Sequence, residues 1–136
     1  MFQVLGIDHV VLRVADTDRA LAFYGGVIGL AVEREQPEIG LTQLRAGASL
    51  IDLVAIDGPL GRAGGGSPAR SAPNVDHFAL QIAPYDEPAL RAHLSRHGVE
   101  VVESGSRYGA GGEGPSIHVL DPDGNKLELK AAATPR

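Results

Sequence analysis

The chain has 136 residues, 43% of them hydrophobic, with 12 Lys and Arg against 17 Asp and Glu and a formal net charge of −5. That length suits one domain or two small modules sharing a core, and an acidic chain without basic clusters disfavours nucleic acid or an anionic membrane as partner. Cysteine is absent, which excludes disulfides, thiolate metal sites and a cysteine nucleophile. With no basic leader and no apolar run of about 20 residues, the sequence leads us to expect a soluble cytoplasmic protein that meets a small molecule.

In chain order, "IDHVVLRV" (7–14) reads as a strand, because β-branched residues and Leu dominate and Gly and Pro are missing. "ADTDRALAFYGGVIGL" switches to helical spacing: Asp16 is the N-cap, Ala20, Leu21, Tyr24, Val27 and Ile28 form the apolar stripe, and Gly29 ends it. Strands follow at 31–36, 41–46 and 50–56, giving β-α-β-β-β for a first module at 1–58. Residues 59–73 are rich in Gly, Pro, Ser and Ala and read as a linker. A second module, 74–131, repeats the order with a strand at 75–82, a helix from Asp86 to His97, and strands near 99–104, 115–120 and 126–130. Residues 132–136 are a tail. Within the second module "YGAGGEG" (108–114) reads as an inserted flexible loop and "DPDGN" (121–125) as a tight turn.

The two halves align as an internal duplication. "VDHFALQI" (75–82) repeats the first strand, pairing His9 with His77 and Leu12 with Leu80, and "LIDL" (50–53) pairs with "KLEL" (126–129). Alternate residues of a strand face opposite sides. If Val10, Leu12 and Val14 cover the helix, His9, Val11 and Arg13 face away; likewise His77, Ala79 and Gln81 oppose Phe78, Leu80 and Ile82. Packing Ile51 and Leu53 turns Asp52 outward, and packing Leu127 and Leu129 does the same for Glu128.

Each half therefore delivers one histidine and one carboxylate to the face away from its helix. A single strand histidine is usually structural, but the repeated pairing points to a metal site. His9, Asp52, His77 and Glu128, converging in a cup, form a donor set suited to Ni, Co, Zn, Mn or Fe. Arg13 and Gln81 are candidates for holding substrate, and His118 for acid–base work. His93 and His97 read as surface residues. Arg107, Tyr108 and the glycines after them could cover the site as a lid. "GAGGEG" precedes no helix and is not a phosphate loop.

These residues, with "GPSIHVLDPDGNKLELK" near the end, resemble the vicinal oxygen chelate superfamily: glyoxalase I, fosfomycin-resistance proteins, bleomycin-binding proteins and extradiol dioxygenases. The resemblance covers nearly the whole chain apart from the linker. It implies an α+β fold of paired βαβββ modules whose mixed sheets form a cup around a metal, with ligands at His9, Asp52, His77 and Glu128. That set is most similar to small bacterial glyoxalase I, a lyase whose substrate is the hemithioacetal of a 2-oxoaldehyde and a thiol such as glutathione. Glu128 would be the base that moves a proton between carbons through an enediolate; Asp52 stands where that enzyme has glutamate. The resemblance also implies two alternatives. One is a fosfomycin-type thiol transferase, using His9, His77 and Glu128 with Ser116 and His118 facing substrate, although Val11 replaces a threonine and the basic C-terminal segment is missing. The other is a non-catalytic binder that sequesters a small molecule or drug, since fold does not fix function. Iron held by His, His and Glu would suit a dioxygenase, but those are usually much longer. The linker could let modules pair across a homodimer with a site at each module interface.

Overall fold

A computed structural model describes residues 1–133. Of the expected tail, 134–136 lie outside the described residues. The chain divides between Asn74 and Val75 into two units. The fold is α+β, with a four-stranded mixed sheet in each unit.

In the first unit, β1 (His9–Val14), β2 (Ala31–Gln36), β3 (Leu41–Ala46) and β4 (Ser49–Ala55) are ordered β1-β4-β3-β2, with β1 parallel to β4 and the remaining pairs antiparallel. Leu12 and Val14 of β1 are buried as alternation requires, whereas Val10, expected on the same face, is exposed; β4 is buried on both faces, with Ile51 and Leu53 on one and Asp52 and Val54 on the other. Helix α1 (Thr17–Leu21) starts where expected: the Asp16 side chain accepts a hydrogen bond from the Arg19 N–H at 3.1 Å. It then widens into a π-helical stretch, Ala22–Val27. This changes the buried face. Ala20, Phe23 and Tyr24 are buried, whereas Leu21, Val27 and Ile28 are only half-buried. The expected stripe assumed 3.6 residues per turn throughout; the wider turn brings adjacent Phe23 and Tyr24 inward together, their rings edge to face at 4.8 Å.

The segment read as a linker has local structure. A one-turn helix, α2 (Pro59–Ala63), sits against β4, where a Cβ at Gly61 would collide with the Ala55 carbonyl. Asn74 then borders the free edge of β1, accepting from the Arg13 N–H at 3.0 Å and donating to the Arg13 carbonyl at 2.9 Å. One amide side chain thus supplies what a neighbouring strand would.

The second unit repeats the order with β5 (His77–Ile82), β6 (Val101–Gly109), β7 (Gly112–Leu120) and β8 (Lys126–Ala131), arranged β5-β8-β7-β6. Helix α3 (Glu87–Arg96) is capped by Asp86, which accepts from the Ala89 N–H, and buries Leu94. In the turn before β8, the buried Asp121 carboxylate accepts from the backbone of Asp123 and Asn125 and from the Asn125 amide, at 2.8–2.9 Å. The expected loop at 108–114 is instead a hairpin: Tyr108 pairs with Glu113 and Gly109 with Gly112, leaving Ala110 and Gly111 at the tip. Its glycines admit the Lys130 side chain, which passes close to Gly109 and Gly114. Ordered β-structure, rather than a lid, follows Arg107 and Tyr108.

The registers of the two sheets coincide. Val11 pairs with Asp52 and Asp52 with Gln43; Ala79 pairs with Glu128 and Glu128 with His118. Both outer strands carry a bulge at the corresponding place, between Val32 and Arg34 and between Val101 and Glu103.

Candidate functional site

In the second unit, strand pairing brings three donors together. His118 and Glu128 are direct cross-strand partners, and His118 Nε2 lies 3.1 Å from Glu128 Oε1. His77, on β5, places Nε2 3.7 Å from the same oxygen. One donor atom from each of His77, His118 and Glu128 lies within 4.8 Å of the others, a grouping that could hold a metal ion. Glu128 and His118 are buried, and His118 Nδ1 has no hydrogen-bond partner among the described residues. Glu103 approaches that nitrogen at 3.9 Å, beyond hydrogen-bond range.

The preceding aspartates orient both repeated histidines. His9 Nδ1 lies 2.7 Å from Asp8 Oδ1, and His77 Nδ1 lies 2.6 Å from Asp76 Oδ1. With Nδ1–H donated to a carboxylate, Nε2 keeps its lone pair for a metal. The bond from Asp8, and then the charge of Asp52, raise the His9 pKa above the usual imidazole value. The bond to His77, and then the charge of Lys126, lower that of Asp76.

In the first unit the equivalent row is weaker in donors. Asp52 is buried, but its cross-strand partner is Gln43, whose amide donates to both carboxylate oxygens at 3.2 Å. Asp52, Val11 and Arg13 line a cavity of about 410 Å³ with Val54, Leu60 and Asn74. The Arg13 guanidinium donates to the Gly64 and Gly65 carbonyls at 2.9 and 3.4 Å.

Gln81 is exposed on β5. Ser116 is fully buried, and its hydroxyl has no partner among the described residues. His93 is half-buried and His97 exposed, with ring centroids 4.8 Å apart. Sequence reasoning did not single out Lys130, which is 4% exposed on the Glu128 face; the alternation of 126, 128 and 130 was the available signal. It also missed Asn74, for which the sequence carries no local signal.

The family described as "Glyoxalase/Bleomycin resistance protein/Dioxygenase superfamily" matches residues 6–129. This chain belongs to that superfamily. Among its relatives, glyoxalase domain-containing protein RDO1 of Mycosarcoma maydis is 31% identical over 94% of this chain and 69% of the relative. Virulence protein STM3117 of Salmonella typhimurium is 31% identical over 90% of this chain and 81% of the relative. The crystal structure of STM3117 superposes with a TM-score of 0.74, covering 97% of this chain and 100% of the other at 28% identity. A lactoylglutathione lyase from Agrobacterium tumefaciens shares the fold, with a TM-score of 0.69 at 21% identity over 95% of both chains. The superfamily thus includes enzymes and members named for other roles, and the residues of this chain must decide among them.

Proposed function

We propose that this superfamily member is a divalent-metal-dependent enzyme of the glyoxalase type. As a lyase or isomerase, it would act on a small substrate with two vicinal oxygens, such as the hemithioacetal of a 2-oxoaldehyde and a thiol. The observation that carries the reading is the convergence of His77, His118 and the buried Glu128 within 4.8 Å. The donor chemistry fits a borderline divalent ion such as Zn, Ni, Co, Mn or Fe. The aspartate behind each repeated histidine supports the same reading, since it leaves Nε2 as the binding atom.

In this proposal His77 and Glu128 hold the ion with His118 as a second imidazole within reach of it, and His9 and Asp52 complete the set, from the same chain or from a second copy in a homodimer. When bound, the ion would supply positive charge that polarises the two substrate oxygens and acidifies the C–H of the hydroxyl-bearing carbon beside the carbonyl. Glu128 takes the proton from that carbon and returns it to the neighbouring one. Burial keeps water from competing for its oxygens, and the 3.1 Å contact with His118 Nε2 fixes which oxygen faces the substrate. Asp52, held by Gln43 at both oxygens, is a ligand or an anchor for a ligand water and takes no part in proton transfer.

The test is metal analysis of the purified protein together with turnover of methylglyoxal and glutathione, adding Ni, Co, Zn and Mn in turn. Glu128→Gln should abolish turnover while weakening metal binding less than His77→Ala does. Full activity in Glu128→Gln would remove the assigned base. Metal binding without this turnover, but with thiol consumption when an epoxide is present, would favour the thiol-transferase reading, for which buried Ser116 and His118 on the Glu128 face speak. Ligand retention without metal would favour a sequestering protein.

A further inference from the structure

The face of the second unit that carries Glu128 has a second polar row, which the metal-directed reading leaves unused. Two residues beyond Glu128 along β8 stands Lys130, and its direct partner on β7 is Ser116. Lys130 is 4% exposed, yet its ammonium has one partner among the described residues, the Gly112 carbonyl at 2.8 Å. A buried ammonium calls for a countercharge, which a neutral carbonyl does not supply. Beside it, the fully buried Ser116 hydroxyl is unpartnered among the described residues. The row continues to Gly105 on β6, the register partner of Ser116. A Cβ at Gly105 would collide with the Arg107 guanidinium, which lies folded over this position. Arg107 donates from Nη1 to the Ser106 carbonyl at 3.1 Å, and Nη2 lies 3.7 Å from Glu103. A guanidinium has five N–H donors, so these contacts leave others to offer. Gln81, the β5 partner of Lys130, ends the row on the other side.

Two cations therefore flank an orphan hydroxyl, with no carboxylate paired to Lys130 among the described residues. We infer that Lys130, Ser116 and Arg107 form an oxyanion-binding site for the carboxylate or phosphate group of an acidic small molecule. Charge-assisted hydrogen bonds from an ammonium and a guanidinium, with a hydroxyl between them, match an oxyanion's several acceptor positions. Two residues along a strand span about 7 Å. The anion thus lies one row from Glu128, and an acid whose second oxygenated centre is a few bonds away would reach both. Linking this anion to the substrate of Glu128 rests on the proposed function; the oxyanion site itself rests on Lys130, Ser116 and Arg107 alone.

Inorganic phosphate and, separately, acetate are titrated at constant ionic strength into chelator-treated full-length protein, following backbone amide resonances by NMR. Saturable shifts are expected at Gly112, Ser116 and Lys130 with at least one of the two ions, phosphate leading if the natural group is a phosphate and acetate if it is a carboxylate. Lys130→Met should weaken binding about tenfold or more, the scale of one charge-assisted hydrogen bond. That variant also removes a structural bond to Gly112. Ser116→Ala, which deletes a hydroxyl with no partner among the described residues, and Arg107→Gln are therefore read beside it, each with weakened binding expected. His77→Ala should bind the anion as the parent does, which separates this result from the fate of the metal reading. Non-saturating shifts with both ions, or unchanged binding in both Ser116→Ala and Arg107→Gln, would overturn the site.

Discussion

Each repeated histidine follows an aspartate because that aspartate sets its tautomer. Asp8 and Asp76 lie just before β1 and β5, so each carboxylate reaches the Nδ1 side of the next ring and leaves Nε2 clear. At His9 this has a cost in pH. The Asp8 bond, followed by the charge of Asp52, raises its pKa. An imidazole with a raised folded-state pKa stabilises the fold fully below its unfolded value of about 6.5, and that contribution is lost as pH rises through the raised value. Metal binding has the opposite sign, because a ligand imidazole must be neutral. Protons therefore compete for His9 to a higher pH than for a free imidazole, and metal affinity should fall as pH drops below the raised value. Asp8→Asn should lower the His9 pKa in an NMR titration of metal-free protein. It should also shift the midpoint of metal affinity against pH downward. An unmoved midpoint would show that His9 does not bind the ion.

Among the elements, α1 and its π-helical continuation show where sequence periodicity stops informing. Asp16 and Gly29 mark the start and end correctly because capping chemistry and left-handed glycine geometry are local (Gly29 has φ +90°). The buried face is not local. Adjacent Phe23 and Tyr24 both turn inward only because the helix widens over Gly25 and Gly26. Phe23→Ala should therefore cost about 3–5 kcal/mol, as expected for a buried aromatic. Val27→Ala, at a half-buried position, should cost clearly less in the same denaturant titration. An α-helical phase predicts the reverse order. The hairpin at 108–114 was hidden for a related reason. Its glycines carry turn chemistry, but here their missing side chains make room for Lys130, a long-range partner. Most strands were legible from their β-branched runs and flanking turn residues rather than from a buried face, since β2 and β6 bury no residue, and β6 and β7 extend into the segment expected as a loop.

At the scale of the whole molecule, the duplication could be read from two histidines and two carboxylates, and the coincident registers of the two sheets agree with it. Less legible was that the copies are unequal as donors. His118 and Glu128 lie ten residues apart about the Asp121–Asn125 turn, and that spacing alone places them opposite each other. Gln43 and Asp52 occupy the matching pair about Gly47. The second module thus offers two imidazoles and a longer carboxylate, whereas the first offers one imidazole and a shorter carboxylate already engaged by an amide. If the ion is held as proposed, the second module should dominate its affinity. Measured by competition with a chromogenic chelator, His77→Ala should lose more affinity than His9→Ala. Gln43→His, which gives the first module the second module's donor row, should reduce that gap by offering the ion another imidazole near Asp52. Equal losses from the two alanine variants would mean that the duplicated halves contribute alike despite their different partners. The contrast between Gln43 and His118 would then belong to substrate contact rather than to the metal.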